Sequence, residues 1–302
     1  MRDRVKIAAV QMEPRIKEKA LNLETISERT RTAAGAGAEL IVFPECALTG
    51  YVFTSREEVA PYAETVPGPS TEKLEGLCRE LGVYVVFGLI EKAGDKLFNA
   101  ALLIGPEGFI GRYRKIHLPY LGVDRYLDGG DKPFEVYETG AGNIGMFICY
   151  DCNFPESARV MALMGVDILA LPTNWPEGRD KIPGYVVPAR AFENRVNIVA
   201  VNRVGSERGT GFIGHSEIIS ARGDVIASAG DKEEIIYGEV SLAESREKHV
   251  VIKPGEFEVD CIKDRRPEFY EMIARPQDIT RSTDKEKPGN AVKEFPALPG
   301  NQ

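Results

Sequence analysis

The chain alternates short, almost wholly apolar runs with longer stretches of helical periodicity. Residues 5–11 open it as a buried strand carrying Val5, Ile7, Ala8, Ala9 and Val10. Residues 19–38 put Leu23, Ile26, Thr30, Ala33 and Ala34 on one helical face, with Glu24, Glu28, Arg29 and Arg31 opposite. Residues 40–43 form a strand that Pro44 stops, so Glu45 sits just past its carboxyl end, ahead of the loop Leu48-Thr49-Gly50-Tyr51. Ser70 is placed to cap a second helix through Leu81, with Leu74, Leu77 and Cys78 inward. Strands are predicted at 84–90, 100–105 and 109–117, the last ending in Tyr113-Arg114-Lys115-Ile116-His117. Residues 143–148 make a short buried strand, and Pro155 opens a helix that runs to about Met164. A strand at 166–171 ends in Pro172-Thr173-Asn174-Trp175. A helix at 188–194, a strand at 196–202 and a hairpin around Ala221-Arg222-Gly223-Asp224 follow, and 235–240 reads as the last strand.

Strands that are apolar on both faces call for a sheet covered by helices. Hairpin signals near 84–115 and 212–240 make part of that sheet mixed or antiparallel. Residues 1–275 are expected as one domain. From Pro276 the composition turns to Pro, Gly and charge, so 276–302 is expected to be disordered or laid along a partner subunit.

The bulk numbers narrow the function. A net charge of -8 argues against general nucleic-acid affinity. No apolar run approaches the roughly 18 residues of a membrane span. Five cysteines in 302 residues are too few, and odd in number, for a disulfide framework. These features together predict a cytoplasmic protein with free thiols.

Three reactive side chains lie where strands end: Glu45, Lys115 and Cys149. Ligand sites of α/β sheets gather at strand carboxyl ends. A carboxylate takes a thiol proton, a lysine holds an oxyanion, and a thiolate attacks carbonyl carbon. Cys149 leaves a strand just before a helix N-terminus, a position that lowers a thiol pKa; the bland alternative is a buried apolar cysteine. Cys149-Tyr150-Asp151-Cys152 is also a C-x-x-C, the spacing of a dithiol redox site or half a zinc site, but Cys46, Cys78 and Cys261 supply no second pair. His117 follows Lys115 by two residues, on the same strand face, and reads as a pocket-wall or packing residue. Gly205-Ser206-Glu207-Arg208-Gly209 lacks the ending of a phosphate-binding loop.

Phe43-Pro44-Glu45, Tyr113-Arg114-Lys115-Ile116-His117-Leu118 and Ile148-Cys149-Tyr150-Asp151 through Phe154-Pro155-Glu156 stand in this order. They resemble the three catalytic motifs of the nitrilase superfamily, the carbon–nitrogen hydrolases. Arg190-Ala191-Phe192-Glu193-Asn194 and Gly214-His215-Ser216 resemble later stretches of that family, so the likeness covers about residues 5–273. It implies an α/β fold, an αββα sandwich whose mixed sheets are covered by helices and which pairs back to back as a homodimer or larger even-numbered assembly. It implies Glu45 as general base, Lys115 as stabiliser of the oxyanion and leaving group, and Cys149 as nucleophile, with no metal or cofactor. The expected substrate is a small amide or N-carbamoyl amine, with nitrile hydrolysis second and a non-catalytic binding protein on the same fold a remote third. Many members carry a second pocket glutamate several residues after the lysine. Asp124 stands nearest that place here, one methylene shorter. Tyr51, Tyr120, Asp124, Tyr150, Asn174 and Trp175 are the expected substrate-binding residues, Tyr150 through its backbone N–H.

Overall fold

A computed structural model describes residues 3–276 of the chain. β1 Arg4–Gln11 leads into α1 Lys19–Gly35, β2 Leu40–Val42, the short α2 Arg56–Val59 and α3 Pro69–Leu81. A meander follows: β3 Tyr84–Ala93, β4 Lys96–Gly105 and β5 Gly108–Arg114. Next come β6 Val136–Thr139, β7 Gly142–Met146, α4 Pro155–Leu163, β8 Ile168–Pro172, α5 Val187–Asn194 and β9 Asn197–Val201. The short pair β10 Ser206–Glu207 and β11 Thr210–Gly211 precedes β12 Glu217–Ile219, β13 Val225–Ser228 and β14 Glu234–Ser241. α6 Leu242–Arg246 and the hairpin of β15 His249–Lys253 and β16 Phe257–Asp260 complete this unit, which ends at Lys263. From Asp264 a second, small unit begins, with a 3-10 turn at Pro267–Phe269 and α7 Glu271–Ala274. Apart from Pro276, the Pro-rich tail lies outside the described residues.

The strands form two six-stranded mixed sheets, in the orders β14-β1-β2-β3-β4-β5 and β13-β12-β9-β8-β7-β6. β1, β2 and β3 run parallel at the heart of the first, and β7, β8 and β9 at the heart of the second. Side-chain alternation sorts the layers. Val5, Ile7 and Ala9 of β1, with Leu40, Val42 and Val86, pack against Ile144, Met146, Ile168 and Val199 of the second sheet. Ala8 and Val10, with Ile41, Val85, Phe87 and Leu102, pack instead under Ile26 and Ala33 of α1 and Leu74, Leu77 and Cys78 of α3. α4 and α5 lie along the second sheet, burying Ala158, Met161, Val187 and Ala191. Strands buried on both faces are why the runs read as continuously apolar.

Four local expectations need correction. Gly68 is the N-cap of α3 and Pro69 its first residue; the Ser70 hydroxyl instead donates to Glu64 Oε1 at 3.1 Å. β5 ends at Arg114, so Lys115 and His117 lie beyond the strand. β14 does not stay with the β12–β13 hairpin but crosses to pair antiparallel with β1 in the other sheet. β14 is also not last, because β15 and β16 follow it. Among the described residues, no helix is long and apolar enough to cross a membrane.

Among the described residues, one buried carboxylate of the second sheet, Glu217, has no charged partner to explain it. Ser216 reaches Gln11 of β1, and Ile218 packs near Gly238 of β14, so Glu217 points to the opposite face. Its Oε2 is buried without a hydrogen-bond partner, and burial pushes its pKa up from 4.5 to about 7. The folded state therefore binds this proton more tightly than the unfolded state. Stability held below pH 4.5 falls as pH rises through 7. Glu217→Gln is expected to melt higher than the wild type above pH 7, by up to roughly 3 kcal/mol, with the gap closing below pH 4.5. Thermal melts across that range check the sign.

Candidate active site

The site is assembled from the ends of β2, β5 and β7. After β2 the chain crosses over β3 at Gly88. A Cβ there would sit 2.4 Å from the Cys46 nitrogen and 2.8 Å from the Pro44 oxygen, so only glycine admits the crossing. Glu45 is thereby buried at the sheet's edge of loops, 1 % exposed.

Lys115, the first residue past β5, is tied to β4 by its N–H, which donates to Asn99 O at 2.8 Å. Its Nζ donates to Glu45 Oε1 at 2.6 Å and to Asp124 Oδ2 at 2.6 Å, and all three side chains are fully buried. Asn99 Nδ2 donates to the same two carboxylates, at 2.6 Å to Glu45 Oε1 and 2.8 Å to Asp124 Oδ1. The Cys46 thiol in turn donates to Asn99 Oδ1 at 3.6 Å. The Tyr51 hydroxyl donates to Asp124 Oδ2 at 2.9 Å. Gly122 lets this loop close on Tyr51: its φ is +50°, and a Cβ would fall 2.2 Å from the Tyr51 ring. Both oxygens of Asp124 are engaged, whereas Glu45 Oε2 is buried with no partner.

The electrostatics follow from burial. Burial raises the Glu45 carboxyl; Lys115 lowers it and Asp124 raises it again, leaving it above its usual value of 4.5. Burial pulls the Lys115 ammonium down, but Asp124, Glu45 and Cys149 outweigh that and hold it well above its ordinary range.

Cys149 stands at the start of a 3-10 turn, Cys149–Asn153, with φ +46°, a conformation that costs a non-glycine residue of order 1–3 kcal/mol. α4 begins only at Pro155, so the turn separates Cys149 from the helix N-terminus. The expected lowering of the thiol pKa is overturned. Burial, and then the charge of Glu45, push it well above 9.0, and Lys115 with the Asn174 backbone N–H only partly offsets them. Cys152 is also buried and, raised by burial and by Asp151, titrates at about 12.

The other expected residues divide. Tyr51 and Asp124 join the buried cluster. Asn174 and Trp175 are buried beyond β8, the Trp175 N–H donating to Asn202 Oδ1 at 2.8 Å. Both side-chain heteroatoms of Asn174 lack a partner. Tyr150 is half-buried, edge-on to Phe154 at 5.1 Å. Tyr120 is 75 % exposed and faces Arg125, so the structure does not bring it into the cluster. Asn99, Asp151 and Arg190 escaped the sequence reading as parts of the site. Arg190 Nε holds Cys152 O at 3.0 Å from α5, supporting the turn. A lone buried asparagine in the apolar run Leu97-Phe98-Asn99-Ala100 was the available signal.

Similarity to known proteins agrees with this arrangement. The sequence pattern of the carbon-nitrogen hydrolase family matches residues 6–249. A nitrilase of Pyrococcus abyssi is 42 % identical over 271 residues, spanning 88 % of this chain and 99 % of that protein. An N-carbamoylputrescine amidase of Solanum lycopersicum is 32 % identical, over 83 % of this chain and 89 % of its own. A solved mutant amidase from Nesterenkonia sp. AN1, which shows covalent addition of the acetamide moiety of fluoroacetamide at its active-site cysteine, superposes with a TM-score of 0.73. It is 24 % identical, covering 89 % of this chain and 96 % of its own, and so speaks for the fold alone. With strand ends, sequence pattern and fold in agreement, the chain belongs to the carbon-nitrogen hydrolase family and is a hydrolase.

Proposed function

We propose that the protein hydrolyses a non-peptide carbon–nitrogen bond in a small amide or N-carbamoyl amine, through a thioester on Cys149. The observation that carries this reading is the asymmetry of the two buried carboxylates. Lys115 binds both, yet Asp124 has every oxygen occupied while Glu45 keeps Oε2 free. A saturated carboxylate positions; a carboxylate with an open oxygen takes a proton. Cys149 is near enough to Glu45 and Lys115 for both charges to act on its thiol.

The chemistry then runs as follows. Burial keeps Cys149 a thiol at rest, so attack on the substrate carbonyl needs a base, and its proton passes to Glu45 Oε2. The Lys115 ammonium and the Tyr150 N–H hold the oxyanion. Collapse expels the amine, which leaves with the proton from Glu45, and the acyl group stays as a thioester. Water gives its proton to Glu45 and attacks the thioester, and the acid departs as the thiol regains its proton. Asp124 and Asn99 hold Lys115 and Glu45 in register. The carbamoyl amidase among the relatives favours amide-type substrates, and the nitrilase keeps nitriles as the alternative. Assembly as a homodimer is supported by Val160 and Leu163 of α4 and Phe192 of α5, which stand 42 %, 45 % and 67 % exposed beside the second sheet. Light scattering of the purified chain should then give twice the 33.3 kDa protomer mass.

Cys149→Ala should abolish turnover with the fold intact, and mass spectrometry of the wild type with a slow amide should find the acyl group on Cys149. Full activity in the alanine variant would sink the reading. Glu45→Gln and Lys115→Ala should each lower kcat by about 10²-fold or more. Because Glu45 titrates above 4.5 and works as the carboxylate, kcat/KM should fall as pH drops through that raised value. Ammonia release from a panel of amides, carbamoyl amines and nitriles names the substrate class. Asp124→Asn turns an amide N–H2 towards donors that need an acceptor. It should cost about 3–5 kcal/mol, read as a lower melting temperature.

A further inference from the structure

Lys115 and Cys149 come from different sheets, one past the end of β5 and the other past the end of β7. Their separation must be set by something that spans the gap between these strand ends. One buried carboxylate does so. Asp151, 0 % exposed in the turn that carries Cys149, accepts from both sides. From the lysine side, the His117 N–H reaches its Oδ1 at 3.2 Å and His117 Nδ1 lies 2.6 Å from the same oxygen. The Tyr113 hydroxyl donates to Oδ2 at 2.8 Å and itself accepts the Ile116 N–H at 3.1 Å. From the cysteine side, the Ile148 N–H donates to Oδ2 at 2.8 Å.

The backbone just after Lys115, the Tyr113 side chain two residues before it, and the residue just before Cys149 are thus attached directly or through one hydroxyl to a single side chain. Facing a carboxyl group that already accepts three donors, His117 takes the tautomer that carries its proton on Nδ1. The holders are themselves braced. The His117 ring stacks on Phe154 at 3.8 Å and 11°, and the Tyr113 ring stacks on Phe134 at 5.3 Å and 13°.

We propose that Asp151 is a positioning residue that sets the Lys115–Cys149 register across the two sheets, with His117 and Tyr113 as its side-chain holders. The proposal rests on the reading of Cys149 and Lys115 as the reacting pair. A displacement of about 1 Å in such a pair is enough to cost about 10²-fold in rate. Because the network is attached to the segments that carry the pair, its loss belongs in kcat rather than KM.

Two variants test this with little disturbance: His117→Phe keeps an aromatic ring against Phe154 without the Nδ1–H, and Tyr113→Phe keeps the ring against Phe134 without the hydroxyl. Each should lower kcat about tenfold with KM unchanged within about twofold, and the double variant about a hundredfold. The rate at which iodoacetamide alkylates Cys149 should fall with kcat. Asp151→Asn, which presents N–H2 to one pair of donors, should lose more than either; should it fail to fold, the two phenylalanine variants decide alone. Wild-type kcat in both, or a loss that disappears once activity is divided by the folded fraction at the assay temperature, overturns the proposal. Cys149→Ala and Lys115→Ala run beside them separate the two ideas. Activity in those variants removes the reacting pair itself and the proposal with it. Their inactivity beside wild-type turnover in the phenylalanine variants removes only the role of Asp151.

Discussion

The buried ammonium of Lys115 is the constraint on which the site depends. A lysine with no exposed side-chain surface is tolerated only where opposite charge meets it, and removing one partner of such a pair costs about 3–5 kcal/mol. Glu45 and Asp124 supply that charge from two loops distant in sequence. The chain past β2, the chain past β5 and the loop at Asp124 are therefore obliged to close together. Two carboxylates on one lysine leave the cluster with excess negative charge. Asn99 and Tyr51 spread it over neutral donors. What remains acts on the neighbouring thiols, since Glu45 and Asp124 both add to the burial that raises Cys46. A resting thiol at Cys149 has the same origin, and it makes an adjacent base necessary to the proposed chemistry.

Asp124 shows how a shorter side chain reaches the same lysine. An aspartate lacks one methylene of reach, so its backbone must come closer. Gly122 permits this, because its left-handed φ and missing Cβ let the loop lie directly on the Tyr51 ring. Tyr51 then serves twice: its ring receives the loop, and its hydroxyl holds the carboxylate that the loop delivers. Its own backbone is fixed from elsewhere, the Tyr51 N–H donating to the buried Glu207 at 2.8 Å, while Arg203 pairs with that glutamate. The loop that sequence reading set aside as a failed phosphate motif is thus a brace behind Tyr51.

The sheets explain why reactive groups collect where they do. Each sheet has a parallel centre whose strands end at one edge, and both faces of each are spent on packing. Polar side chains are left the strand ends and the loops beyond them. Asn99 is one exception, a polar residue inside β4. Its burial is made possible by complete satisfaction: two donors to carboxylates, one acceptor to a thiol.

The sequence alone determined the apolar runs, and from them a sheet covered by helices, because strands covered on both faces leave no polar alternation to misread; the αββα layering came with the resemblance of its motifs. It also placed Glu45 and Cys149 at strand ends, since Pro44 and Pro155 mark those ends locally, whereas the strand predicted around Lys115 ran past it to His117. Tertiary structure decided everything that depends on which strand lies beside which. β14 leaves its hairpin for β1 because its partner is chosen by register across the chain. The Cys149 thiol rises rather than falls because burial is a property of the packed molecule, whereas the strand-to-helix position is only a property of the chain. Asn99 and Asp151 were invisible as parts of the site for the same reason. Each works by bridging segments far apart in sequence, and a lone polar residue in a string shows what it is, not what it will face.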